Sequence, residues 1–234
     1  MEIRLETVLG SAEIGLFALP TDRYVILSKE VNPSKVKVFE EVLDAEIIQT
    51  SLADSILISP FAAGNSNGIV LSKLVLGEEI NKIKNKVPDL NVQKIDSKYT
   101  AVGNLVLCND KGGIVSSLLG SSVAKTISDV LGVEVVSSTI AKRSYVGSLV
   151  AATNVGALVH VDADEDEIEL VGGEARNKTV CDALISDIEE EVLINDKLGE
   201  ELGIVIERMA SGDWRLSTDS PEVRRRSEEP EYWS

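Results

Sequence analysis

AVGNLVLCNDKGGIVS, residues 101–116, has a near-twin 44 residues further on, YVGSLVAATNVGALVH, residues 145–160. Both run through a small turn, an apolar strand, a polar Asn/Gly corner and a second apolar strand. Internal repetition at a fixed step is the first thing to look for, because it decides the architecture. Stepping by the same interval from Gly103 reaches Gly147 ahead, and Ser59 and Gly15 behind. A second ladder joins Gly68, Gly112 and Gly156, and a third joins Leu43, Val87 and Leu131. Three ladders at one period mark four copies of one building block.

Each copy reads the same way. GLFAL, SPFAA, GNLVL and GSLVA are short and almost continuously apolar, as a strand covered on both faces must be. The corners that follow, such as Asn65-Ser66-Asn67-Gly68 and Asn109-Asp110-Lys111-Gly112, carry residues tolerant of positive φ and predict hairpins. Return strands YVILS, GIVLS, GGIVS and GALVH come next. VNPSKVKVFEEVL, GEEINKIKNKV and SSVAKTISDVL then show helical spacing, the first with Pro33 at its start. EIIQT, NVQKI and VEVVSS are the closing strands. The unit is strand–hairpin–strand–helix–strand. Alone it leaves a helix face and a sheet edge uncovered, so copies must cover one another, and a closed ring of α/β blades does this with fewest loose edges.

EIGLFAL, GNSNG, AVGN with CNDKG, and LGVEV followed by TIA, VGS and GALVH resemble, in order and spacing, the translation initiation factor 6 family of archaea and eukaryotes over residues 1 to about 171. The resemblance implies an α/β fold, the five-bladed β/α propeller called a pentein, with pseudo-fivefold symmetry. It also implies binding to the large ribosomal subunit at its intersubunit face, on a ribosomal protein beside the sarcin–ricin loop, which prevents joining to the small subunit. The family's L-G-N asparagine maps onto Asn104, and repeat symmetry puts Leu16, Pro60 and Ser148 at the equivalent ribosome-binding positions. The expected blades are 1–50, 51–95, 96–139, 140–175 and 176–210, with residues 211–234 as a disordered polar tail. The fifth blade is expected to be degenerate. Its anchor would be Glu191, with no glycine, although VLINDK at 192–197 echoes VLCNDK and GIVIERM suits a return strand.

Composition fits a translation factor of this kind. Thirty-nine acidic against 23 basic residues give a net charge of −16, which disfavours broad contact with nucleic acid and favours a basic protein partner. Arg224, Arg225 and Arg226 are candidates for rRNA phosphate contact, but among glutamates they read first as solvated charge. The opening MEIRLETVLG lacks an apolar signal run, and no stretch is long and apolar enough to span a membrane, so a cytoplasmic monomer is expected.

Pentein folds also carry guanidine-modifying hydrolases, which need a Cys nucleophile and a His base. His160, Cys108 and Cys181 show no local activation signature and read as a strand-end histidine and two small structural thiols. A generic interaction scaffold is the other alternative. The repeated glycines are turn residues rather than a phosphate loop. The acidic run 162–167 lacks calcium-loop spacing and reads as a solvated helix start. No catalytic residue, cofactor or metal is expected.

Overall fold

The computed structural model describes residues 6–164, 166–167, 204–208, 213–220 and 222–226. It contains two compact units, 1–174 and 175–234. The first unit is a chain of small mixed sheets. β1 (Ala18–Pro20), β2 (Tyr24–Ser28) and β3 (Glu46–Thr50) form one. β4 (Ala62–Gly64), β5 (Gly68–Ser72) and β6 (Asn91–Ile95) form the next, and β7 (Val106–Cys108), β8 (Gly113–Ser116) and β9 (Val135–Ser138) the third. In each, the first two strands pair antiparallel across the corner and the second pairs parallel with the third. The parallel step needs a crossover, supplied by α1 (Pro33–Leu43), α2 (Gly77–Lys86) and α3 (Gly120–Leu131). A fourth copy contributes the hairpin β10 (Val150–Ala152) and β11 (Ala157–Val159). Among the described residues the building block read from the sequence is thus present three times in full and once as its hairpin. The sheets stay separate and open. Of the expected fifth blade, 176–210, only residues 204–208 are described; Glu191 and residues 192–197 lie outside the described residues.

The helices begin and end for local reasons. The Asn32 side chain caps α1 by accepting from the Lys35 amide at 3.0 Å, with Pro33 at the first helical position. Gly132 closes α3 at φ 66°.

The cores lie between copies. Tyr24, Ile26 and Ile48 of the first copy pack with Ile69, Leu71 and Ile83 of the second. Val70 and Ile95 of the second pack with Val106, Val115, Ile127 and Leu131 of the third, and Ile114 of the third packs with Val146 and Val150 of the fourth. A return strand such as β5 is buried along its whole length because alternate residues serve two different cores.

Polar contacts repeat the same step. The first strands of successive copies abut one another, and so do the corners at one end. Ser66 donates its amide and hydroxyl to Asp110 at 2.7 and 2.8 Å. The Asp110 amide donates to Asn154 at 2.9 Å, and Asn154 Nδ2 returns a hydrogen bond to Asp110 at 2.7 Å. The same Nδ2 reaches Asp22 at 2.5 Å, so the corners of copies one and four touch. Asn65 Nδ2 donates to the Asn109 carbonyl and to the Leu131 carbonyl ending α3, each at 3.0 Å.

The corner glycines correct one expectation. None of Gly68, Gly112 and Gly156 has a positive φ. Instead Thr21, Asn65, Asn109 and Thr153 each accept from the two amides that follow across the corner, a side-chain-closed turn that needs no left-handed residue. Space is what Gly68 provides: a Cβ there would sit 2.1 Å from the Val130 carbonyl oxygen.

In the second unit, β12 (Ile204–Arg208) pairs antiparallel with β13 (Asp213–Leu216), which pairs with β14 (Arg225–Arg226). GIVIERM does contain a strand, but it pairs forward. Residues 213–220 and 222–226, expected within a disordered tail, carry this sheet instead. Asp219 accepts from the Leu216 amide at 2.8 Å and from Arg225 at 3.0 and 3.1 Å, and the Arg225 guanidinium stacks over Trp214. Arg225 is therefore paired within the unit.

Two measurements test this packing. Gly103→Ala puts a Cβ 1.7 Å from the Ser59 carbonyl oxygen and is expected to cost about 2 kcal/mol in urea unfolding, while Gly156→Ala, with nothing within 4 Å, stays within about 0.5 kcal/mol of the parent. Among the described residues Ser28 Oγ is buried without a hydrogen-bond partner, so Ser28→Ala is expected to raise stability by about 1 kcal/mol.

Candidate functional site

The end of the first unit opposite the corners is built from four 3₁₀ turns, Ile14–Leu16, Ser59–Phe61, Val102–Asn104 and Val146–Ser148. Each leads into the first strand of its copy, and successive turns abut. The anchors of the first ladder are what bring them so close. Ser59 Oγ donates to the Gly15 carbonyl. Gly103 leaves no room for a Cβ against Ser59, and a Cβ on Gly147 would lie 2.0 Å from the Gly103 carbonyl oxygen. Leu16, Asn104 and Ser148 end their turns and Pro60 is the middle residue of its own, so the four residues singled out from the sequence stand on consecutive copies at one end. Leu16 and Ser148 are exposed, and Pro60 and Asn104 half-buried.

The loops at this end carry an apolar surface. Leu9, Ile56, Leu74, Leu118 and Tyr145 are exposed there. The charges among them are partly matched across copies: Lys29 lies 3.7 Å from Asp54 and Lys73 3.9 Å from Asp96. Apolar side chains ringed by matched charge suit contact with a protein surface.

A feature the sequence reading missed lies just behind the 3₁₀ turns. Two-residue turns at Leu9-Gly10, Ala53-Asp54 and Ala141-Lys142 all have positive φ, between 52° and 80°, and close isolated bridges Val8–Ser11, Leu52–Ser55 and Ile140–Arg143. These are the primed turns of tight hairpins, which favour Asn-Gly. Left-handed backbone at Ala, Asp or Lys costs about 1 kcal/mol per residue. Two buried carboxylates offset it. Glu79 accepts from the Ala53 amide at 2.8 Å, the Asp54 amide at 3.0 Å and the Leu76 amide at 2.8 Å. Glu167 accepts from the Ala141 amide at 2.7 Å, the Lys142 amide at 3.3 Å, the Asp164 amide at 3.2 Å and the Thr139 hydroxyl at 2.8 Å. The signal available in the sequence was that Glu79 and Glu167 stand two repeat steps apart. Glu167 also corrects the reading of 162–167 as a wholly solvated run: it is only 6% exposed because its carboxylate is folded under the 140–143 turn.

Burial pushes both carboxyls upward, but the hydrogen bonds they receive outweigh it and hold them below the ordinary glutamate range.

The thiol–imidazole reading finds no support in the geometry. Cys108 Sγ donates to the Gly64 carbonyl at 3.3 Å, and burial, with a smaller contribution from Asp110, pushes its thiol up to about 12. Such a thiol is not a nucleophile at neutral pH. His160 follows β11, with Nδ1 accepting from the Asp162 amide at 3.1 Å. Cys181 lies outside the described residues. An open polar cleft beside Glu40, Asp44 and Ala45 has its cations engaged: Lys86 pairs with Glu46 at 2.8 Å and Arg23 with Asp89. Among the described residues no cluster of three or more His, Cys, Asp or Glu is arranged to hold a metal, and no helix is long and apolar enough to cross a membrane.

The carboxylate-locked turns give a pH-dependent expectation. A carboxyl whose folded pKa lies below its unfolded one supplies stability that is complete above the unfolded value and lost as pH falls through the folded one. Glu79→Gln is therefore expected to lower stability by about 2 kcal/mol at pH 7, with the gap to the parent closing as pH falls below the ordinary glutamate range. Urea melts across that pH interval check both the size and the convergence.

The sequence is similar to known proteins over most of its length. The sequence model described as the eIF-6 family matches residues 3–174. The chain is 39% identical over 164 residues to a protein of Pyrococcus abyssi named translation initiation factor 6, covering 68% of this chain and 72% of that one. A protein of the same name from Staphylothermus marinus is 35% identical over 169 residues, 71% of this chain and 74% of its own. Another, from Methanocaldococcus jannaschii, is 36% identical over 212 residues, 84% of this chain and 92% of its own.

Proposed function

This chain belongs to the eIF-6 family, and on that premise we propose that it is a translation initiation factor that binds the large ribosomal subunit at its intersubunit face and prevents premature joining of the small subunit. The observation that carries the reading is the end built from four abutting 3₁₀ turns, with Leu16, Pro60, Asn104 and Ser148 on successive copies and exposed aliphatic side chains around them. A ribosomal protein is the partner such a surface suits better than RNA. The chain carries a net charge of −16, which repels phosphate and attracts a basic protein surface. Blocking subunit joining by contact needs no catalytic group, and the raised Cys108 thiol supports a non-enzymatic role.

The repeat is read as the greater part of a five-bladed propeller, in which a further copy completes the turn begun by the four at 15, 59, 103 and 147. The factor acts as a monomer in the cytoplasm, where ribosomal subunits are found. The hydrolase alternative requires an activated thiolate, and the scaffold alternative requires no ribosome affinity.

Sedimentation with purified large subunits tests the proposal. The unmutated chain is expected to pellet with them and to suppress their association with small subunits in a sucrose gradient. Asn104→Arg, which places a long cation at the end of the third turn, is expected to reduce pelleting by about tenfold or more. A chain that never pellets, or pelleting that Asn104→Arg leaves unchanged, contradicts the assignment.

A further inference from the structure

The two buried glutamates have a consequence for docking. The residue at ladder position 35, 79, 123 and 167 lies in the first turns of a helix; in two copies it ties that helix to the turn preceding the same copy's 3₁₀ turn, and in another it reaches the segment just ahead of that turn. In the first copy Lys35 pairs with Glu6, just ahead of the 8–11 turn. In the second and fourth, Glu79 and Glu167 take two amides each from the 52–55 and 140–143 turns. In the third the position is Val123, and the corresponding segment 96–99 has no positive-φ residue to hold. A carboxylate thus stands where the turn is left-handed at both central non-glycine residues, and is missing where it is not.

From each locked turn the chain runs directly into the docking end. After Ala53 and Asp54, the Ser55 hydroxyl accepts from the Leu57 amide at 3.0 Å, Ile58 is fully buried, and Ser59-Pro60-Phe61 forms the 3₁₀ turn. After Ala141 and Lys142 the chain passes exposed Tyr145 into Val146–Ser148. We propose that Glu79 and Glu167 are positioning residues for ribosome binding: each carboxylate locks the backbone that presents a 3₁₀ turn, so that the surface meets its partner already ordered. This rests on the docking reading above. Neither carboxylate touches the partner. They act by removing the ordering cost that a loose turn would charge at each encounter.

A merely structural glutamate would stabilise the fold wherever its turn is, and its effect would not depend on the turn's sequence. Docking through turn order predicts otherwise, because Asn-Gly adopts the same left-handed conformation without help. The experiment is a cycle of four chains: the parent, Glu79→Ala, the turn variant A53N/D54G, and the three changes together. Affinity for purified large subunits is measured well below each melting temperature, and amide exchange is followed at Ser55. In the native turn Glu79→Ala is expected to weaken binding about tenfold and to speed Ser55 exchange; in the Asn-Gly turn the same change weakens binding at most about twofold. Where Glu79→Ala does not fold, Glu79→Gln carries the same comparison. Equal loss in both turns, or no loss in the native one, overturns the inference while leaving the docking reading intact. A parent chain with no affinity for large subunits removes the docking reading, and this inference with it.

Discussion

The molecule depends on one constraint: no copy of the repeat can bury its own faces. In each of the three full copies the sheet is apolar on both sides, and only one side meets its own helix. The other has to be covered by the next copy, which is why the cores join Tyr24 and Ile26 to Ile69 and Leu71, and Val70 to Val115 and Leu131. At about 25 cal/mol per Å² of apolar surface, such shared cores outweigh any single polar contact in the fold. The close stacking of Gly15, Ser59, Gly103 and Gly147 follows from it, since sheets can share cores only if their inner ends approach closely. Function follows at one remove. Stacking the anchors stacks the 3₁₀ turns, and these form a continuous end surface that no single copy could make.

The polar network obeys the same geometry. Corner residues 44 positions apart bond to one another, Ser66 to Asp110 and Asp110 to Asn154, with Asn154 closing onto Asp22. These contacts add direction to what the cores supply in energy, because each fixes the register of one copy against the next. Most of their short polar side chains are engaged with a neighbouring copy. The end built from the 3₁₀ turns is different, with Leu9, Ile56, Leu74 and Tyr145 exposed.

Much of this was legible in the amino-acid order because a repeat repeats its signals. Apolar runs, corner residues and helical spacing recur at 15, 59, 103 and 147, so element type and order could be read three or four times over. Cys108 was legible as a structural thiol for the simpler reason that nothing nearby would activate it. Contacts between copies were harder. The corner glycines suggest left-handed turns to any local reading, yet Gly68 is there because the Val130 carbonyl of the next copy leaves no room for a Cβ. The real left-handed turns, Ala53-Asp54 and Ala141-Lys142, have no turn-like sequence, because distant carboxylates at 79 and 167 hold them. Residues 213–220 and 222–226 read as a polar tail because the contacts that order them are polar: Asp219 with Arg225, Arg215 with Glu207, and the Arg225 guanidinium over Trp214, rather than an apolar pattern.

The central claim is that the copies stand or fall together through shared cores. Native-state hydrogen exchange on the return strands β2, β5 and β8, one in each of three copies, tests it most directly. Shared cores predict that their slowest amides open with a single common free energy, equal to that of global unfolding. Three separate opening energies, with one copy exchanging while its neighbours stay protected, would show that each copy buries itself, and would contradict the account.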